Sequence, residues 1–149
     1  MAEDTISIAV GLEEPNTHHM IETLSDGEEQ TGAIVSFTGL CRDEGGLLQA
    51  LELEHYPGMA ETELRRIAET ANVKWPCHRI IVEHRHGRVE PGDVIVAVAT
   101  ASRHREAAFQ AAHFIMDFLK TSAPFWKKEL WKDGKAPSWV KAAEKDETA

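Results

Sequence analysis

An apolar run followed directly by a helix-periodic segment dominates this sequence. The run Val94–Ala101 is strongly apolar and predicts a strand. Behind it, apolar residues recur at helical spacing and predict a helix that starts near Arg103 or His104 and extends to about Lys120. The apolar stripe of this helix consists of Ala108, Ala111, Ile115 and Leu119. Pro124 then ends the helix, because proline cannot continue the backbone hydrogen bonding.

Shorter patterns predict the remaining elements. Strands are predicted at Thr5–Val10, Gly32–Gly39, Leu48–His55 and Arg79–His86, and helices from Pro15 to Leu24 and over Met59–Val73. The order β-α-β-β-α-β-β-α-β lacks the strict alternation of a doubly wound sheet. It predicts an α+β fold with helices packed on a mostly antiparallel sheet. The length of 149 residues predicts a single domain over residues 1–149, with a frayed tail at about 142–149.

The charge distribution limits the classes of partner. The net charge of −9 argues against general nucleic-acid binding. Residues 1–30 contain eight acids and no Lys or Arg, whereas residues 120–145 contain seven lysines and three acids. A local cationic surface on an acidic protein suits a small anionic ligand or a carboxylate-bearing protein partner.

The hydropathy pattern and the cysteine content predict a protein of the cytoplasm. No apolar run approaches the roughly 20 residues needed to span a bilayer, and no secretory leader is visible at the N-terminus. Cys41 and Cys77 lie in different contexts and suggest neither a disulfide framework nor a four-cysteine zinc site. A cytoplasmic location without membrane insertion is therefore expected.

The segment 114–129 places two lysines among apolar side chains. Lys120 and Lys127 lie on either side of the proline-broken hinge. Their neighbours are Phe118, Leu119, Phe125 and Trp126. A lysine held against apolar surface is partly desolvated, which makes it a usable acid, base or anion ligand. The alternative interpretation is a helix end with two lysines near its negative dipole pole.

Two cationic groups elsewhere are candidate anion sites. Arg42 lies on a glycine-flanked loop and can present its planar fork to phosphate or carboxylate, although an exposed loop arginine is the alternative. Arg103-His104-Arg105 lies where a strand meets a helix N-terminus, whose free N–H groups would add to an anion site. Local salt bridging, for instance to Glu106, is the alternative there.

The paired histidines, Cys41 and two apolar residues are further candidates for a functional site. His84-Arg85-His86 alternates on a strand, so that both imidazoles point to one face, but no third metal ligand has suitable spacing. Cys41 could have a lowered pKa beside Arg42, yet no Cys-His-Asn order supports a thiol hydrolase, and an inert loop residue is favoured. Phe37 and Met116 could line a pocket for a flat heterocycle, with core packing as the alternative.

Several segments together resemble the large, catalytic subunit family of molybdopterin synthase over nearly the whole chain. The segments are Gly32–Gly39 with Arg42, Leu53–Met59, His84–Gly87, Pro91–Asp93, His104-Arg105, and Phe114–Glu129 with the sequence FIMDFLKTSAPFWKKE. The last is long and unusual in composition, which makes a chance similarity improbable.

This resemblance implies a fold, an activity and a set of partners. The fold would be of the α/β-hammerhead type with a small additional β subdomain. Large subunits of this family form a homodimer, and each binds a small ubiquitin-like subunit whose C-terminal Gly-Gly carries a thiocarboxylate, which gives a heterotetramer. The enzyme adds two sulfurs to cyclic pyranopterin monophosphate and so makes the dithiolene of molybdopterin. No cofactor or metal is implied, because the small subunit supplies the sulfur.

The resemblance also implies roles for individual residues. Lys120 and Lys127 would be the catalytic and substrate-holding lysines. The other implied substrate-site residues are Leu40, Cys41, Arg42, His104, Arg105, Lys128 and Glu129. Our hypothesis makes Lys120 the principal acid and base, while Lys127 fixes the anion. His104 and Lys120 are 16 residues apart, roughly 24 Å along one helix, so a shared site would be built across the dimer.

Two other functions are also compatible with the sequence. The first is a non-catalytic dimeric module that binds a carboxyl-terminal peptide tail in its lysine-rich groove. The second is a metal-dependent hydrolase that uses His84 and His86.

Overall fold

The computed structural model describes residues 5–26, 29–43, 45–122 and 124–140, and the predicted frayed tail at 142–149 lies outside them. Its strands are β1 (Ile6–Gly11), β2 (Ala33–Leu40), β3 (Leu48–Glu54), β4 (Arg79–Arg85), β5 (Gly87–Val89), β6 (Val94–Ser102), β7 (Trp126–Trp131) and β8 (Ser138–Trp139). Its helices are α1 (Thr17–Ser25), α2 (Met59–Lys74) and α3 (Arg105–Ser122). The predicted α+β class is confirmed.

The strands form two four-stranded sheets. The order in the first sheet is β1-β4-β6-β2, and the order in the second is β5-β3-β7-β8. Only β1 and β4 pair in parallel among these strands; all other neighbours are antiparallel, as predicted. The second sheet corresponds to the small additional β subdomain that the resemblance implied.

Strand β6 is buried on both faces. Val96 and Val98 belong to the main core, which α2 and α3 complete. Ala97 and Ala99 face the opposite way and pack with Met20 and other residues of α1. Because side chains alternate along a strand, the sequence Val-Ala-Val-Ala presents larger residues to one layer and small ones to the other. This two-sided burial explains why the run is apolar without alternating polar positions.

The structure contains two short strands outside the predicted order, and the last strand of that order, for which no range was predicted, is β7. β5 has three residues and β8 has two, and neither was predicted. Such short segments carry no periodic signal, and they form because β3 and β7 offer antiparallel partners. The predicted helix start at Arg103 or His104 is also early, since α3 begins at Arg105. No helix in the described part of the chain is long and apolar enough to cross a membrane.

Gly32 marks a close approach between the start of β2 and the entry to α3. Its N–H donates to the Ser102 carbonyl at 2.9 Å. A Cβ at this position would overlap the carbonyl oxygen of Arg103, which is backbone and cannot rotate away. The approach positions the segment 103–105 against the sheet.

We predict that Gly32→Ala lowers the free energy of unfolding by roughly 1–3 kcal/mol, because the added methyl must displace backbone. Gly11→Ala is the matched control, since a Cβ there meets nothing within 4 Å. It should change stability by less than about 0.5 kcal/mol. Urea unfolding of both variants measures the difference, and equal effects would contradict the steric argument.

Candidate functional site

A cavity of about 540 Å³ lies where β2, α3 and β7 meet. Its lining residues are Phe37, Thr38, Gly39, Leu40, Cys41, Arg42, His84, Ile95, Val96, Met116, Leu119, Lys120 and Lys127. Three of these side chains are cationic, and no carboxylate belongs to this described lining. The cavity therefore offers an apolar floor with several positive charges, which suits a flat anionic ligand.

The two lysines reach this cavity from different elements. Lys120 lies in the last turn of α3, and Lys127 lies on β7 opposite Leu53 of β3. Lys127 is half-buried, but Lys120 is exposed. The expectation that both are partly desolvated is wrong for Lys120 in the single chain, because α3 ends at the rim of the cavity and the Lys120 side chain is exposed there.

Arg42 and Cys41 follow the end of β2 and lie side by side in the lining. The Cys41 N–H donates to the Asp93 carbonyl at 2.9 Å, which ties the loop to the turn before β6. Burial raises the pKa of the Cys41 thiol, and Asp93 and Asp43 act in the same direction. The thiol is therefore protonated at neutral pH, and the favoured interpretation of Cys41 as an inert residue agrees with this environment.

His84 contributes a buried imidazole to the cavity. Its side chain is 5% exposed and stacks on Phe125, with ring centroids 3.8 Å apart and an interplanar angle of 8°. Nδ1 lies 2.7 Å from the Arg85 carbonyl oxygen. Burial lowers the pKa of His84 to about 4, and the nearby charge of Lys127 contributes in the same direction. His84 is therefore neutral at physiological pH.

The rings of His86 and His55 pack next to the stacked rings of His84 and Phe125. Their ring centroids lie 4.4 Å apart, and His55 is 5.8 Å from the Phe125 ring. Burial, followed by the neighbouring His55, lowers the pKa of His86. Among the described residues, no group of three or more His, Cys, Asp or Glu could hold a metal ion. The geometry thus offers His84 and His86 no third ligand, although the expected absence of a metal stays a prediction.

The predicted site residues divide into two groups. Leu40, Cys41, Arg42, Lys120 and Lys127 line the cavity, together with Phe37 and Met116. His104, Arg105, Lys128 and Glu129 do not belong to its lining. Their predicted roles in substrate binding stay predictions.

His104 and Arg105, at the N-terminal end of α3, lie far from the cavity. His104 precedes α3 and Arg105 begins it, whereas Lys120 lies in the last turn of the same helix. Both His104 and Arg105 are exposed. A rise of about 1.5 Å per residue places them roughly 24 Å from Lys120 along the axis.

Lys128 and Glu129 lie on β7 beside Lys127. The Lys128 ammonium is 3.9 Å from a carboxylate oxygen of Glu52 and 5.3 Å from the centroid of the Trp139 ring. Because side chains alternate along a strand, Lys128 points away from the face that Lys127 presents to the cavity.

A second trough of about 650 Å³ adjoins the cavity along α3. It shares Phe37, Met116 and Lys120 with the cavity and continues past Phe109 and His113. Phe109 is 60% exposed, which leaves a large apolar side chain in solvent on the single chain. The trough makes Lys120 accessible from two sides.

Sequence reasoning missed the place of His84 in the cavity. The pattern predicted that His84 and His86 share one strand face as a candidate metal pair, and it did not place His84 with the anion-binding residues. The available signal was its phase: Ile80, Val82 and His84 share one strand face, and the first two are apolar.

Comparisons with known proteins agree on one family. Residues 12–122 match the model of the family described as MoaE protein. The chain is 57% identical to the molybdopterin synthase catalytic subunit of Mesorhizobium japonicum, over 87% of this chain and 81% of that protein.

Solved structures give the same result for the fold. The molybdopterin cofactor biosynthesis protein E of Burkholderia multivorans superposes with a TM-score of 0.80 at 39% identity, covering 94% of this chain and 90% of that one. A structure from Helicobacter pylori, a protein–protein complex of subunits 1 and 2 of molybdopterin-converting factor, has a TM-score of 0.70 at 19% identity. It covers 93% of this chain and 91% of that chain, and at this identity the likeness concerns the fold alone.

We predict that His84 makes the protein less stable in acid. Its pKa is about 4 in the folded state and about 6.5 when unfolded, so the unfolded chain binds more protons between these values. Stability that is present above about pH 6.5 is lost as the pH falls toward 4, by an amount on the order of 3 kcal/mol.

Urea unfolding of wild type and His84→Phe from about pH 7 down to about pH 4.5 measures this effect. Phenylalanine keeps a ring against Phe125 but does not titrate. The stability of the wild type should fall more steeply than that of the variant, and parallel curves would contradict the prediction.

Proposed function

The chain belongs to the MoaE protein family, and we propose that it transfers sulfur to cyclic pyranopterin monophosphate to make the dithiolene of molybdopterin. Membership makes it an enzyme of molybdenum cofactor biosynthesis. The single observation that carries the proposal is the cavity in which Arg42, Lys120 and Lys127 surround an apolar floor. A pterin ring with an attached cyclic phosphate needs both parts of this environment.

The sulfur must come from outside the chain. Burial raises the pKa of Cys41, and it raises the pKa of Cys77 to about 11. A thiol is a nucleophile only as its thiolate, so neither cysteine is prepared for sulfur transfer. We assign the donor role to the C-terminal thiocarboxylate of a small ubiquitin-like subunit ending in Gly-Gly. No cofactor is part of the proposal.

Lys120 and Lys127 have different roles in this proposal: Lys120 donates a proton, and Lys127 binds the phosphate. The thiocarboxylate sulfur attacks a substrate carbon and displaces a hydroxyl group from it, and one proton lets that hydroxyl depart as water. Lys120 is exposed at the rim, where an incoming chain end can reach it, and its ammonium supplies that proton. Water then cleaves the acyl–sulfur bond, which leaves sulfur on the substrate and a carboxylate on the partner. Lys127, half-buried beside His84 and Cys41, holds the phosphate together with Arg42.

If His104 and Arg105 act on the same substrate as Lys120, a complete site needs two copies of the chain. His104 and Arg105 lie at one end of α3 and Lys120 at the other, so one helix cannot bring both to a small substrate. In a homodimer the neighbour's His104 and Arg105 would complete the anion site. Binding of one small subunit to each copy would give a heterotetramer.

We expect Lys120→Ala to abolish product formation while partner binding persists, because the ammonium acts on the leaving oxygen. Purified chain is incubated with thiocarboxylated small subunit and cyclic pyranopterin monophosphate, and product is detected as its fluorescent oxidised derivative. The loss should be at least about 100-fold, the usual contribution of a general acid.

Lys135→Ala is the matched control for this variant. Lys135 is an exposed lysine that pairs with Asp133 at 3.8 Å, outside the cavity lining. It should leave turnover within about twofold of wild type, as expected for a weak surface pair. Turnover that survives in Lys120→Ala would overturn the assignment of the acid, and partner binding without product in the wild type would reduce the chain to a binding module.

Mixed dimers test the shared site. A Lys120→Ala chain and a His104→Ala chain each make an inactive homodimer, but their heterodimer contains one site without either substitution. Mixtures refolded together should regain about one working site per heterodimer. A site built within one chain would instead give no recovery.

A further inference from the structure

We propose that His84 is a substrate-binding residue whose Nε2 accepts a hydrogen bond from an N–H or O–H group of the pterin. This inference rests on the proposed function and names a contact within the same cavity. It is carried by the direction of the side chain, the tautomer that its hydrogen bond imposes, and the chemistry of the surrounding lining.

His84 lines the cavity and also borders a separate pocket beside Asn16 and His19, and its imidazole stacks on Phe125. Ile80 and Val82 share its strand face and pack in the main core with Leu119 and Phe125. Ile81, on the other face, packs in the cluster with Met20 of α1. Because side chains alternate, His84 points toward α3, Phe125 and the cavity that it lines.

One hydrogen bond sets the tautomer. The Arg85 carbonyl can only accept, so Nδ1 of His84 must carry the proton of the 2.7 Å contact. In a neutral imidazole the other nitrogen, Nε2, then has a lone pair and no proton. Among the described residues, the hydrogen bond found for the His84 side chain is that of Nδ1, so Nε2 is available to a ligand that enters the cavity.

The Nε2 lone pair is important because the surrounding side chains offer few hydrogen-bond acceptors. The three charged groups of the lining, Arg42, Lys120 and Lys127, are donors without acceptor capacity. The hydroxyl of Thr38 already shares a hydrogen bond of 2.9 Å with Thr17. His84 therefore supplies the strongest side-chain acceptor of the described lining. A pterin carries N–H and O–H donors, and each would lose a water partner on entering this cavity unless an acceptor met it.

A neutral acceptor suits this place better than a carboxylate. An aspartate or glutamate in the lining would pair with Lys127 and repel the phosphate of the substrate. Stacking on Phe125 and the bond to the Arg85 carbonyl hold the ring in one orientation, so little side-chain freedom is lost on binding. His84 can thus recognise a donor without reducing the positive charge of the cavity.

Three substitutions separate the two ring nitrogens. His84→Asn keeps an amide near the position of Nδ1 and removes the group at Nε2. His84→Gln reaches the Nε2 position with an amide that can accept. His84→Phe keeps the ring packing on Phe125 and removes both nitrogens. Thermal unfolding at neutral pH selects the variants that are folded.

Binding of cyclic pyranopterin monophosphate to the full chain is measured by titration calorimetry, without the small subunit. His84→Asn and His84→Phe should bind about tenfold more weakly, the loss expected for one buried hydrogen bond, and His84→Gln should recover most of the affinity. In reconstituted turnover the loss should appear in KM, with kcat little changed. A lowered kcat at unchanged affinity would overturn the inference.

Nitrogen NMR of histidine-labelled wild type measures the chemical shift of each ring nitrogen, which separates a hydrogen bond to the ligand from a role of His84 in packing alone. The unprotonated Nε2 resonance of His84 should shift when the pterin is added, while Nδ1 keeps its proton. An Nε2 resonance that is unaffected at saturating pterin would overturn this inference and leave the proposed function standing. A wild type that binds no pterin and makes no product would overturn the inference together with the proposed function.

Discussion

The two-sided burial of β6 is the interaction on which the rest of the structure depends. Its valines complete the core beneath α2 and α3, and its alanines let α1 pack closely on the opposite face. Because β6 pairs with both β4 and β2, it places His84 and the end of β2 on the same side of one sheet. Helix α3 follows β6 directly and returns across this face, so that its last turn brings Lys120 to the cavity that both strands line.

The cavity combines positive charge with apolar surface and excludes acids from its described lining. This arrangement is costly in an isolated chain, since Arg42, Lys120 and Lys127 repel one another. Exposure of Lys120 and Arg42 limits that cost by leaving their charges in water. Entry of an anionic substrate would remove both the repulsion and the water, which is the condition under which electrostatic stabilisation becomes strong.

Much of the fold and part of the candidate site could be predicted from the sequence, and the failures have a common cause. The strand Val94–Ala101 and the helix to Lys120 were identifiable because their patterns are long. Strands β5 and β8 were not, because only pairing with β3 and β7 creates them. Lys120 was expected to be desolvated from its apolar neighbours in sequence, yet neighbours along a helix point in different directions, and this lysine faces solvent.

The chemical character of individual residues could therefore be predicted from the sequence. The solvent exposure of those residues and the charges around them depended on contacts between distant segments. Residue types and their periodicity specified the longer elements, the cationic segment around Lys127 and the candidate anion-binding arginines. The neutral state of His84 required the Phe125 ring, which lies 41 positions further along the chain, to stack on its imidazole and exclude water. The same holds for Cys41, whose thiol stays protonated because folding buries it beside Asp93. A pKa depends on solvent exclusion and on charges across space, and those arise only when strands and helices pack together.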